Sequence, residues 1–205
     1  MIKFQPFNRF VFPILALVLL VLPLGLHAQG DPVDFYREAL TINNTGMGVL
    51  GGWAVANITL GAYGWSRQDG QPAYFNQMNL FWNTVNLSIA GLALAGNLRL
   101  DYLTLPPPEL MEMQAKSQRL YLINGALDVG YMGAGFFLRY LANRNPRHED
   151  RLRGYGNSVI LQGAFLFVFD LVMYGLHLSH RNNFMEQVTL APAREAWGLS
   201  LIVQL

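Results

Sequence analysis

The chain has 205 residues, 52% of them hydrophobic and 13% charged, against about 25% charged in an ordinary soluble domain. Disorder is excluded, because it needs low hydrophobicity and high charge. A net charge of +1 gives no electrostatic reason to bind nucleic acid. With no cysteine, disulfide stapling, thiol redox chemistry and cysteine-held zinc or iron–sulfur clusters are excluded too. A membrane protein or an unusually apolar bundle remains.

Residues 1–28 are laid out as a secretory signal peptide. Lys3 and Arg9 form a positive start with no acid nearby, and Phe10 to Leu26 is an unbroken apolar run. Pro23 and Gly25 break the helix before Leu26-His27-Ala28, which predicts cleavage after Ala28. Retained, the same run would be an anchor and a fifth membrane helix. Without it the chain carries 12 basic and 13 acidic residues, a net −1.

Four further segments are long enough to cross a bilayer, which takes about 20 residues. Ala39 to Ser66 and Gly70 to Leu98 hold no charge, Leu120 to Leu138 holds only Asp128, and Gly154 to His180 holds only Asp170. Spans are expected near 45–66, 74–97, 118–141 and 155–178. Gly70 and Pro72, the run Pro106-Pro107-Pro108 and Pro146 punctuate the connections. Helix formers from Glu109 to Arg119, with proline and glutamate at their start, extend the third helix to about 108–142. The fold class is therefore all-α: a four-helix transmembrane bundle over 29–181, after a cleaved signal peptide. A soluble bundle would need a richly charged face on each helix, and these have none.

Arg144, Arg147, Arg151 and Arg153 make the 142–154 loop the most basic, which places it in the cytoplasm. A cleaved signal followed by four spans leads to the same side. Both mature ends then lie outside the cytoplasm, and the location is a bacterial cell membrane, the inner one in a Gram-negative host. The tail, 182–205, reads as extra-cytoplasmic and extended. Trp197, Leu199, Leu201, Val203 and Leu205 alternate as in a strand. It is similar to the last strand of an outer-membrane barrel, but the four long segments lack a barrel's alternation.

Each span carries a polar group near mid-depth. Asn57, Asn86, Asp128 and Asp170 lie within about 6 Å of the span centres at 1.5 Å per residue. Asn76, Asn79, Asn83, Asn86 and Asn97 fall on one face of the second span. Ser117, Asn124, Asp128, Tyr131 and Gly135 are expected to share a face of the third, and Gly163, Asp170, Tyr174, His177 and Arg181 a face of the fourth. An aspartate at a helix centre costs about 2.5–3.5 kcal/mol on insertion, so both should face inward. The candidate polar site is Asn57, Asn83, Asn86, Asn124, Asp128, Asp170, Tyr174 and His177. Trp53-x-x-x-Asn57-Ile-Thr is echoed by Trp82-x-x-x-Asn86-Leu-Ser on the oppositely directed helix, a hint of an inverted repeat.

Two readings of this layer stand. In the first it is structural glue of a non-enzymatic structural or assembly subunit, with small residues such as Gly48, Gly52 and Ala56 allowing close packing. In the alternative, Asp128 and Asp170 conduct protons or a small cation, with Tyr131, Tyr174 and His177 leading outward. Enzymatic signatures are missing: there is no phosphate-binding loop, nucleophile elbow or dinucleotide fingerprint. His177 and His180 lack a third metal ligand. No cofactor, metal or catalytic residue is expected. The expected partners are the lipid bilayer and a second copy or another membrane protein, with no nucleic acid. In layout, from signal peptide through four Asn- and Gly-rich spans to a short tail, the chain resembles the small, uncharacterised multi-spanning proteins of bacteria. That resemblance implies no activity.

Overall fold

A computed structural model describes residues 31–190, with side chains to residue 186. The signal-like segment and the strand-patterned tail at 197–205 lie outside the described residues. The described chain is four long helices: α1 (Pro32–Arg67), α2 (Gly70–Arg99), α3 (Pro107–Ala142) and α4 (Glu149–Leu190). Short 3-10 turns at Tyr102–Thr104 and Pro146–His148 lead into α3 and α4. Among the described residues there is no strand.

Local chemistry sets the boundaries. Asp31 caps α1, its side chain accepting from the Val33 N–H at 2.8 Å, and Pro32 takes the first turn, where its missing donor costs nothing. Pro107 likewise takes the first turn of α3, which has no side-chain cap but carries Glu109 there, where the helix dipole favours an acid. The third helix starts and ends within a residue of its predicted limits. α1 begins well before the expected span, and α4 runs on to Leu190. Residues 182–190 are therefore helix, where the sequence reading put an extended tail.

The helices pair as two antiparallel hairpins. In α1–α2, Asn44 meets Asn97 while Gly61 meets Asn76. In α3–α4, Gln114 meets His177 while Gly135 meets Gly156. The hairpins dock along α2 and α4, which run parallel: Gln77 meets Tyr155 and Asn79 meets Ser158. A Cβ on Gly135 would come within 2.8 Å of the Gly156 carbonyl oxygen, and one on Gly156 within 2.7 Å of the Gly135 oxygen. Backbone meets backbone there, and no larger residue fits.

The arrangement of polarity is inverted relative to a soluble bundle. Leu60, Leu92, Phe136 and Phe137 are each more than half exposed, while Asn83, Ser158 and Gln162 have no exposure at all. An apolar core remains around Trp53, Tyr121, Phe165, Phe169 and Met173, with Trp53 stacked on Phe165 at 3.9 Å between centroids.

By length and composition, one stretch among the described residues meets the test for a membrane span. It is Pro146–Glu186, with a mean hydropathy of 2.0 over its best window. Of the four helices, the last alone carries a stretch that meets this test among the described residues. Freedom from charge was taken for apolarity. α2 holds no Asp, Glu, Lys or Arg before its last residue, yet Asn79, Asn83, Asn86 and Asn97 lower its hydropathy almost as far as charges would.

Candidate functional site

The buried polar groups divide into two clusters. The first joins α1, α2 and α4 around Gln162. The Trp53 indole N–H donates to Gln162 Oε1 at 2.9 Å. Gln162 Nε2 donates to Asn79 Oδ1 at 3.0 Å and lies 3.4 Å from Asn57 Oδ1. The Ser158 hydroxyl donates to the same Asn79 oxygen at 2.7 Å. Asn57 and Asn83 use their side-chain N–H groups on backbone carbonyls one turn back, those of Trp53 and Asn79. Asn86 donates to Asn83 Oδ1 at 3.3 Å. All of these groups are uncharged, and none of their side-chain polar atoms is both fully buried and without a hydrogen-bond partner.

The second cluster lies in the α3/α4 seam and is built differently. Asp128 and Asp170, 3% and 5% exposed, bring their carboxyls within hydrogen-bonding reach of each other. Gly125 lies beside the pair, where a Cβ would sit in ordinary contact with Asp170 Cβ at 3.8 Å. Asp128 Oδ2 receives no hydrogen bond from any donor among the described residues. Neither carboxyl has a cationic partner among them within 4.0 Å. Two carboxylates are both acceptors, so their contact becomes a hydrogen bond only when a proton lies between them. Two turns further along, the His177 ring stacks on Tyr121 at 5.5 Å, and the Tyr121 hydroxyl donates to Asn43 Oδ1 on α1. His177 is 1% exposed, and both its ring nitrogens, like Gln118 Oε1, are without a hydrogen-bond partner among the described residues.

Of the sequence-predicted site, Asn57, Asn83 and Asn86 fall in or beside the amide cluster, and Asp128, Asp170 and His177 fall in the seam. Tyr174 is half-buried against the apolar core. Asn124 faces outward and joins neither. The inward face of α3 is Gln114, Gln118, Tyr121, Gly125 and Asp128, so the face drawn through Asn124 and Tyr131 was rotated from the true one. Tyr131 is exposed and packs edge-on against Trp82.

Sequence reasoning missed Gln162 as the hub, and with it Ser158, Gln114 and Gln118. The signal was present: 114, 118, 121, 125 and 128 step by four and three, the helical repeat. The two histidines separate. His180 stacks on Phe35, donates from Nε2 to the Phe35 carbonyl oxygen at 2.9 Å and has Nδ1 3.5 Å from Glu38. It ties α4 to the start of α1. Among the described residues no three His, Cys, Asp or Glu side chains converge to hold a metal.

A family model matches residues 49–171, which contain both clusters up to Asp170. The chain belongs to the DUF6992 family. That family is described as one of unknown function, so membership in DUF6992 brings a shared fold and no activity. His177, Tyr36 and Asn43 lie outside the matched stretch. No curated protein and no solved structure matches the chain.

Proposed function

We propose that the chain is a non-enzymatic, membrane-embedded four-helix bundle whose Asp128–Asp170 pair takes up and releases protons, with the amide cluster as its structural frame. The membrane setting is supported by the inverted polarity. Large apolar side chains cover the outside of all four helices while amides and carboxyls fill the inside, which suits lipid and disfavours water. The basic 142–154 loop then faces the cytoplasm, in a bacterial cell membrane, and the end carrying Tyr36 and Lys116 faces out.

One observation carries the proton role: two buried carboxyls in mutual contact, with no cation beside them and an oxygen that no donor reaches. Glue of the amide kind leaves its atoms paired; this pair leaves a vacancy that a proton fills. Access is one-sided. Toward the outer end the seam continues through the open polar atoms of Gln118 and His177. Toward the cytoplasmic end it closes where Gly135 meets Gly156. That favours proton binding from one side over a permanently open pore.

The test is infrared difference spectroscopy of the lipid-reconstituted protein between low and high pH. A protonated-carboxyl band is expected in the wild type and should be absent from the Asp128→Asn/Asp170→Asn variant. If the band is unchanged in that variant, the carboxyl pair is not the proton site. The chain would then be read as a structural or assembly subunit, which the complete pairing around Gln162 favours.

A further inference from the structure

At the end of the bundle where α1 starts, a cavity of about 210 Å³ opens between the helices. Tyr36, Asn43, Asn97, Gln114, Lys116, Ser117 and His177 supply its polar lining, and Asn97, whose Nδ2 donates to Asn44 Oδ1 at 2.6 Å, offers its oxygen as an acceptor. No carboxylate lines it among the described residues. Its hydrogen-bonding character is mostly that of a donor. The Asn43 oxygen is taken by the Tyr121 hydroxyl, so its side chain offers the N–H₂ end. Gln114 Nε2 is committed to the His177 carbonyl oxygen at 3.1 Å, which leaves Gln114 Oε1 as one acceptor. Burial holds the Tyr36 hydroxyl above its ordinary pKa, so it stays a neutral donor. Lys116 is exposed at the mouth and has no ion-pair partner among the described residues.

The independent sign of a ligand is His177. His177 lines the cavity, is 1% exposed, and has no hydrogen-bond partner among the described residues at either ring nitrogen. A buried ring nitrogen left so is costly unless something fills the space before it. The group that satisfies one cation, several neutral donors and an imidazole is an anion with three or more acceptor oxygens. The volume holds about seven waters, room for a phosphoryl group and part of what bears it.

We propose that this cavity binds a phosphoryl group, carried by free phosphate or by a phospholipid headgroup. The site stands on its own geometry and does not require the proton reading.

The experiment uses the full chain purified in detergent. Inorganic phosphate and acetate are titrated by calorimetry, and a short-chain phosphatidic acid is followed by native mass spectrometry. Binding of phosphate identifies a free-anion site, and binding of the lipid alone identifies a headgroup site. Either supports the proposal. Lys116→Ala/Ser117→Ala, at exposed and half-buried positions, should keep its helical circular dichroism and bind the successful probe at least about tenfold more weakly. The proposal is overturned if neither phosphorus probe binds, if the variant binds as the wild type does, or if acetate binds as tightly as phosphate. Asp128→Asn/Asp170→Asn protein is expected to bind normally, so failure of the infrared test and failure here are distinguishable.

Discussion

The amide cluster around Gln162 and the carboxyl seam around Asp128 are both buried, both polar and both built on α4, yet only one is complete. Around Gln162 each amide oxygen meets a donor and each indole or hydroxyl proton meets an acceptor. In the seam, Asp128 Oδ2, Gln118 Oε1 and both nitrogens of His177 meet nothing among the described residues. Burial alone therefore does not identify function. A satisfied network fixes helices in place, whereas titratable groups left unpaired keep a capacity to bind.

The difference can be broken or sharpened by mutation. The largest effect is expected where the seam closes. Gly156→Leu forces a side chain against the Gly135 backbone and should cost about 3 kcal/mol or more, read as loss of monodisperse protein in size-exclusion chromatography. Next comes Gln162→Leu, which strands Trp53 Nε1 and removes the bonds to Asn79 Oδ1 and Asn57 Oδ1, leaving Asn79 its Ser158 partner. At about 0.6 kcal/mol per bond in a membrane bundle, the loss is about 2 kcal/mol in a denaturant titration, with the protonated-carboxyl band intact. Loss of that band in Gln162→Leu would mean that the two clusters act as one unit. Asp128→Asn reverses the pattern. Asparagine offers Asp170 an N–H donor, so stability should change by less than about 1 kcal/mol, while the protonated-carboxyl band of the infrared test should shrink, since no second carboxyl is left to share the proton. The smallest effect belongs to Asn124→Ala. Its side chain faces out, so stability should stay within about 0.5 kcal/mol of the wild type and the protonated-carboxyl band should be unchanged.

How much of this the sequence discloses depends on what kind of signal each part leaves. Helix ends are legible, because proline, glycine and acidic first turns act locally: α3 was placed at 108–142 and runs Pro107–Ala142. The asparagine face of α2 was legible from spacing, and Asn79, Asn83 and Asn86 are buried on it. The inward face of α3 was misjudged because Asn124 and Gln118 are both polar and lie about 120° apart around the helix at 100° per residue. Only the neighbours of α3 decide which of them turns inward. Gln162 was invisible as a hub for a related reason. Its partners come from residues more than 80 positions away, and one chain's spacing carries no information about that pairing. The apolarity of α1 and α2 was overread, because the absence of charge hid a load of amides.

The parallel contact between α2 and α4 has a consequence for how the two hairpins find each other. Gln77 with Tyr155, Asn79 with Ser158 and Asn79 with Gln162 are directional hydrogen bonds. Apolar side chains would tolerate a slip of one helical turn, about 5.4 Å, with little change in energy. A slip of that size here would unmake all three bonds at once and leave buried amides unpaired. The layer thus works as a vernier between hairpins, much as a single buried asparagine selects one alignment in a coiled coil. Replacing it wholesale with leucine would be expected to yield a bundle with several alignments.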